Sequence, residues 1–329
     1  MSNVAVPFPK QLPPGFEWLQ DEPEFDAAAH LQLELPASHV TLADLGYSDE
    51  EISETCTPFA ASSPFRVLSE QGAAIMLDVS RRLNDFKVTS DRIENLVRGG
   101  CYRSRWLRDL CTSPELTDHM SQVYGVPVAH HTMPSHLGHL NFAPSELSQA
   151  VDKWHHDTLA LDFVMMVADP ALLDGGDFEY FFGTKTEAAA LAAAGETPPL
   201  DRRVAFDWPG PGYAVGLHGN MVVHRGAPLR QVGERITMVN GYVPMATTQP
   251  DQSRHPDLLT VDAPDELYAS WTKHVAWRAR ERLDTVIAEI EFGTDAAGAM
   301  DALQNAIVDV TTALEEMQIE NPQLMHYGG

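Results

Sequence analysis

Trp154-His155-His156-Asp157 opens the stretch that decides how this chain folds, and Val222-Val223-His224-Arg225-Gly226 followed by Glu234-Arg235-Ile236-Thr237 closes it. Residues two apart on a β-strand point to the same face. His155 and Asp157 therefore share a face if Trp154 to Ala168 is one strand, and His156 points the other way. His224 lies 67 residues beyond Asp157, at the end of the apolar run that starts at Tyr213. Two histidines and one carboxylate on neighbouring strands form the facial set that suits Fe(II) and leaves coordination positions open. Arg235 comes eleven residues after His224 and is followed by Thr237 on the same strand face. A guanidinium pairs with a carboxylate through two hydrogen bonds, so this is a carboxylate clamp beside a metal.

The rest of the chain is organised around this stretch. Gly175-Gly176 reads as a turn before a strand at Phe178 to Phe182. Thr186 to Ala194 reads as a short Ala-rich helix, and Pro209-Gly210-Pro211-Gly212 as a turn. Val204 to Trp208, Tyr213 to His224 and Arg235 to Val243 read as strands, as do Val126 to His131 and Gly138 to Phe142. Upstream, Ser48-Asp49-Glu50-Glu51 is a capping box. Pro64 to Leu83 suggests a helix with Gly72 as its weak point. Thr89 to Ile93 starts another that Gly99-Gly100 stops, and Ser113-Pro114 caps a third that ends at Gly125. Residues 1–125 are thus expected to be mainly helical, 126–246 to hold the β core, and 264–319 to form C-terminal helices, all within a single domain.

The central residues resemble the iron(II)/2-oxoglutarate-dependent oxygenases, particularly their phytanoyl-CoA-hydroxylase-like branch. The similarity runs through His155-x-Asp157, Gly175 to Lys185, Pro211 to Val215, His224 to Leu229 and Gly233 to Thr237. It is clear over 154–244, fades over 64–150 and is absent from the C-terminal helices. It implies an α+β fold, a double-stranded β-helix (a jelly-roll, cupin-like barrel) with N-terminal and C-terminal helices packed outside. It implies that His155, Asp157 and His224 bind Fe(II), and that Arg235, helped by Thr237, holds 2-oxoglutarate. O2 then converts this co-substrate to succinate and CO2 as a C–H bond is hydroxylated. Asp157 stands where halogenating relatives carry a small residue, which favours hydroxylation. Desaturation, epimerisation or ring formation at the same iron is the alternative among enzymes, and a non-catalytic cupin-like binding protein the alternative outside them.

Other residues carry weaker expectations. Asn141 is a candidate co-substrate contact from its order along the chain. His156 competes with His155 as a ligand, and His218 and Asn220 share strand parity with His224. His130, His131, His136 and His139 lack a carboxylate or cysteine at useful spacing and read as strand and loop residues, some at the cavity mouth. Among Arg98, Arg103, Arg105 and Arg108, one could meet an anionic substrate group.

Composition narrows the partners. With 22 Lys+Arg against 47 Asp+Glu the net charge is −25, which repels nucleic acid and anionic membranes. Cys56, Cys101 and Cys111 are too few and too scattered for a disulfide framework, so a reducing cytoplasm is expected. The N-terminus lacks a secretion signal, and no apolar run is long enough for a membrane span. The expected partner is a small polar metabolite rather than a coenzyme-A thioester, with a homodimer through the C-terminal helices as the assembly option.

Overall fold

A computed structural model describes residues 4–147, 149–320, 322 and 326–328. The chain alternates helices and strands from its start: α1 (Ala27–His30), β1 (His39–Thr41), α2 (Asp49–Ser53), β2 (Phe59–Ser62), β3 (Phe65–Arg66), α3 (Glu70–Leu83) and β4 (Leu96–Val97). α4 (Arg105–Cys111), α5 (Pro114–Tyr124), β5 (Val128–His130), β6 (His139–Phe142), β7 (Asp152–His155), β8 (Leu161–Met166) and β9 (Phe178–Phe181) follow. The remainder is α6 (Lys185–Ala193), β10 (Arg203–Ala205), β11 (Tyr213–Leu217), β12 (His224–Gly226), β13 (Ile236–Pro244), α7 (His255–Leu259), α8 (Pro264–Glu289) and α9 (Ala296–Glu316).

The strands form two antiparallel sheets. The larger runs β1-β2-β11-β8-β13-β6-β4, with β3 also on β11 and β5 on β13; the smaller runs β10-β9-β12-β7. Side-chain parity assigns the faces of the large sheet. Phe163, Met165 and Met238 share a core with Met76, Leu83, Leu107, Leu116 and Met120 from α3, α4 and α5. Val164, Val215 and Leu217 pack instead with Phe178 and Tyr180 of the small sheet. Both faces of β8 are buried, which is why its sequence is apolar without alternation.

Two segments predicted as single strands are each divided between the sheets. Trp154 to Ala168 breaks after His155, so that β7 joins the small sheet and β8 the large one; the longest strand is β13, at nine residues. Tyr213 to His224 breaks after Leu217 in the same way. Each crossing costs a few residues of irregular backbone, and the candidate ligands lie at these crossings.

The first 125 residues are not mainly helical. β1 to β4 fall within them and extend the large sheet. No helix forms at Thr89: Ser90 caps a tight turn by accepting from Ile93 N, Val88 bridges Leu96, and Leu96 and Val97 pair with β6. Sheet pairing satisfies backbone groups that a lone helical turn would leave open. Helix α3 starts at Glu70, because Ser69 is its N-cap and Val67 and Leu68 donate to Gly212 O. The capping box at Ser48 and the Ser113-Pro114 start are present, and Gly125 ends α5 in the left-handed conformation.

Gly72 is a contact point more than a weak point. A Cβ there would lie 2.2 Å from His30 O, which Ser69 N holds in place at 3.0 Å. Gly72→Ala must push backbone aside, so we expect it to lose about 1–3 kcal/mol, read as a lower urea midpoint with an unchanged slope.

Helices α8 and α9 pack on each other through Trp271, Val275 and Ala313 and leave Ile287, Phe292, Leu303 and Ile307 exposed. None of the helices among the described residues is long and apolar enough to cross a membrane. α8 is tied down by a buried polar network. His274 Nε2 lies 2.7 Å from Asp251 and its Nδ1 2.6 Å from Thr132 Oγ1, while Arg278 reaches Asp309 at 2.9 Å. Burial raises the Asp251 carboxyl, but His274 and Arg278 outweigh it and hold the group below the usual carboxylate range. A depressed folded-state pKa contributes stability that is complete above the unfolded value of about 3.9 and is lost progressively as pH falls from there through the folded-state pKa. Asp251→Asn is therefore expected to cost about 3–5 kcal/mol at neutral pH and to flatten the acid limb of a stability–pH curve measured by urea unfolding.

Candidate metal centre

β7 and β12 are antiparallel neighbours, and their register sets His224 directly opposite His155. The rings meet edge to face with centroids 4.2 Å apart. Asp157 lies just past the end of β7, in the crossing to β8. Its position is fixed by its N–H donating to Gly219 O at 2.8 Å and by Asn220 Nδ2 donating to its carbonyl at 3.2 Å. Its two carboxylate oxygens lie 3.3 Å from His155 Nε2 and 3.4 Å from His224 Nε2. One ligand atom from each residue falls within 4.8 Å of the others. Adjacent ligands on an ion with bonds near 2.1 Å stand roughly 3 Å apart, so the three converge on a position one cation would fill.

The outer hydrogen bonds set the tautomers. His155 Nδ1 faces Lys153 O at 2.6 Å and His224 Nδ1 faces Val222 O at 2.9 Å. A carbonyl only accepts, so each Nδ1 carries the proton and each Nε2 lone pair faces Asp157. Burial lowers both imidazoles, His155 to about 3, so both are neutral at neutral pH. Burial acts to raise Asp157, but His224, His155 and Arg92 hold it well below the usual range, and it is ionised. Neutral imidazoles and an ionised carboxylate are the protonation states that metal binding requires.

Arg235 opens onto the same cavity, which His155, Asp157, His224, Thr237 and Asn141 also line. It is 2% exposed, and burial lowers it to about 10, so it stays charged at neutral pH. Its Nε donates to Gly176 O at 2.6 Å and one terminal nitrogen lies 3.5 Å from Thr237 Oγ1. Among the described residues no carboxylate pairs with it. Asp152 and Asp177 act on it only from beyond ion-pair distance; a buried cation without a direct partner is costly, and an anion entering the cavity would relieve that cost.

All six residues singled out in the sequence thus meet in one cavity, but not through strand parity. His155 ends a strand and Asp157 sits in the turn beyond, so the turn aligns them. His156 points elsewhere, its Nδ1 2.6 Å from Tyr327 Oη. His218 and Asn220 do not line the cavity; Asn220 acts behind Asp157. His136 and His139 line it, while His131 meets His136 edge to face with ring centroids 4.5 Å apart. Arg98 lines it too, paired with Asp262 at 2.7 Å. Arg103 lies over Phe16 and Phe86, and Arg105 and Arg108 lie over Trp18.

Five cavity residues escaped the sequence reading. Arg92 reaches Asp152 at 2.9 Å and Asp157 at 4.0 Å, and burial raises Asp152 to about 7. Arg92 comes from the segment misread as a helix, and nothing local marks its pairing with a residue sixty positions away. The cavity wall formed by Asp257, Leu258 and Val261 was equally hidden.

No family profile and no curated protein matches the sequence. Solved structures overlap it in part. The non-heme alpha-ketoglutarate-dependent carbocyclase SnoK from nogalamycin biosynthesis is 15% identical over 63% of this chain and 87% of its own, with a TM-score of 0.42. AviO1 from Streptomyces viridochromogenes Tue57 is 18% identical over 64% of this chain and 97% of its own, at 0.40. HygX from Streptomyces hygroscopicus, with nickel and 2-oxoglutarate bound, is 13% identical over 61% and 88%, also at 0.40. Overlap this partial does not carry function, which has to rest on the side chains of the cavity.

Proposed function

We propose that this chain is a non-haem iron(II)/2-oxoglutarate-dependent oxygenase that hydroxylates a small metabolite, built on a single double-stranded β-helix domain. The observation that carries it is the placing of two neutral histidines and an ionised carboxylate in one cavity with a buried Arg235 that makes no direct ion pair among the described residues. A metal site alone would fit many proteins; a metal site beside an unpaired buried guanidinium fits a chelating dianion. Iron(II) with bound 2-oxoglutarate and O2 supplies the oxidant for an unactivated C–H bond, releasing succinate and CO2.

The chain's own residues do the rest. His155, Asp157 and His224 would hold the ion, which lies within the cavity their ligand atoms converge on. Arg235 fixes the distal carboxylate of the co-substrate through its free terminal N–H groups, and Thr237 Oγ1 stands beside it as a further partner. Asn141, opposite Thr237 in the β6–β13 register, adds a polar group on the same wall. Asp157 supplies a carboxylate where the resemblance gives halogenating relatives a small residue, which supports hydroxylation over halogenation. The buried Val164 and Phe178 and the half-buried Val239 on the cavity wall would limit water around the ion.

Anaerobic titration with Fe(II) and then 2-oxoglutarate tests this reading. A visible charge-transfer band of the chelate is expected once both are present. Folded, iron-loaded protein that shows no band with saturating 2-oxoglutarate would rule the reading out.

A further inference from the structure

Most cavity charges already have counter-ions within the chain. Arg92 is paired with Asp152 at 2.9 Å. Arg98 makes a two-point contact with Asp262, at 2.8 and 2.7 Å, and Ser135 Oγ donates to the same carboxylate at 3.0 Å. Asp157 faces the metal position and Arg235 the co-substrate. Asp257 is different. It comes from α7, lines the cavity and is 7% exposed, yet its carboxylate makes no hydrogen bond or ion pair among the described residues. Arg254, three residues away, is directed to Glu316 at 3.5 Å. Arg254 and Arg92 act on it only from beyond ion-pair distance, so a carboxylate facing the cavity without a direct partner is one to which a ligand can supply the opposite charge.

We propose that Asp257 is the substrate-recognition residue and binds a protonated nitrogen, so that the cavity takes a small amine with an apolar body. This inference rests on the oxygenase reading only in calling the bound amine a substrate. The apolar body would meet Ile93, Leu96, Leu159, Leu258 and Val261, which line the same space. A donor is also available. Arg98 has only N–H groups to offer His139 Nδ1, 3.3 Å away, so Nδ1 accepts and Nε2 carries the proton. That Nε2 is buried without a partner in hydrogen-bonding geometry. The net charge of −25 adds long-range attraction for cations over anions. The paired state of Arg92 and Arg98 argues against the anionic substrate that a cluster of arginines suggested. Burial raises the Asp257 carboxyl, and a bound ammonium would bring it back down.

The test is calorimetric titration with hexylamine, hexanol and hexanoate, on metal-free protein and on the anaerobic Fe(II)/2-oxoglutarate form. Hexylamine is expected to bind at least about tenfold tighter than either analogue, Asp257→Asn to erase that preference, and Asp257→Glu to retain it. Asp257→Leu is a second charge-free variant if the asparagine form does not fold. An amine that binds no better than the alcohol, or a preference that survives loss of the Asp257 charge, overturns the inference. The two readings fail separately. Loss of the oxygenase reading appears as a missing chelate band with the amine preference intact, and loss of this one as a normal band without the preference.

Discussion

His224→Ala should abolish turnover and weaken Fe(II) binding by more than about a hundred-fold. Loss of outer-shell partners alone typically costs 10–100-fold in metal affinity, and this substitution removes a direct donor. His224 is the donor contributed by β12, and Val222 O fixes its tautomer. Without it His155 and Asp157 remain, and two protein donors bind a divalent ion far less tightly than a facial set. The variant also leaves a void beside Phe178, whose ring centroid lies 5.3 Å from that of His224. Some loss of stability is therefore expected, of order 1–3 kcal/mol. Calorimetry of anaerobic Fe(II) binding, with circular dichroism to establish the fold, separates the two effects. A folded variant that binds iron as tightly as the wild type would remove His224 from the ligand set.

Arg235→Met tests the clamp with a more discriminating outcome. Methionine keeps much of the apolar stem while removing the charge. Truncating one partner of a buried, hydrogen-bonded charge pair costs about 2–5 kcal/mol, so 2-oxoglutarate affinity should fall roughly 30- to 5,000-fold. Fe(II) binding should be close to unchanged, because no metal donor is touched. The stability of the ligand-free protein should hold or rise, since an unpaired buried guanidinium is replaced by an apolar group, offset in part by an unmet Gly176 carbonyl. Opposite signs for affinity and ligand-free stability are the signature of a binding arginine. An arginine kept for structure would lose stability with no change in 2-oxoglutarate binding. Denaturant unfolding without ligand, alongside titration of the chelate band, gives both signs.

The two variants also address different links. His224→Ala removes the ion and with it the chelate, whereas Arg235→Met leaves the ion and demands more co-substrate. A variant pair that behaved identically would mean that the cavity does not divide into a metal face and a carboxylate face.

Sequence alone pointed to the residues that line the cavity and to many of the elements around it. His155, Asp157, His224, Arg235 and Thr237 were legible as candidates because residue type and spacing carry their chemistry, and Asn141 from its order along the chain; all six line one cavity. The Ser48 capping box, the Pro114 start and the Gly125 stop were legible because helix ends are decided by the local chain. Tertiary structure decided how these residues come together. Parity predicted that one strand aligns His155 with Asp157, whereas β7 ends at His155 and Gly219 and Asn220, from another crossing, hold Asp157 in place. Thr89 to Ile93 has helical character locally, yet pairing of Leu96 and Val97 with β6 captures the segment and turns Arg92 toward Asp152. Asp257 could be known as a cavity residue only once α7 was placed against the sheets. Local propensity is a matter of tenths of a kcal/mol per residue, whereas a buried ion pair or a sheet register is settled by partners sixty or more residues away.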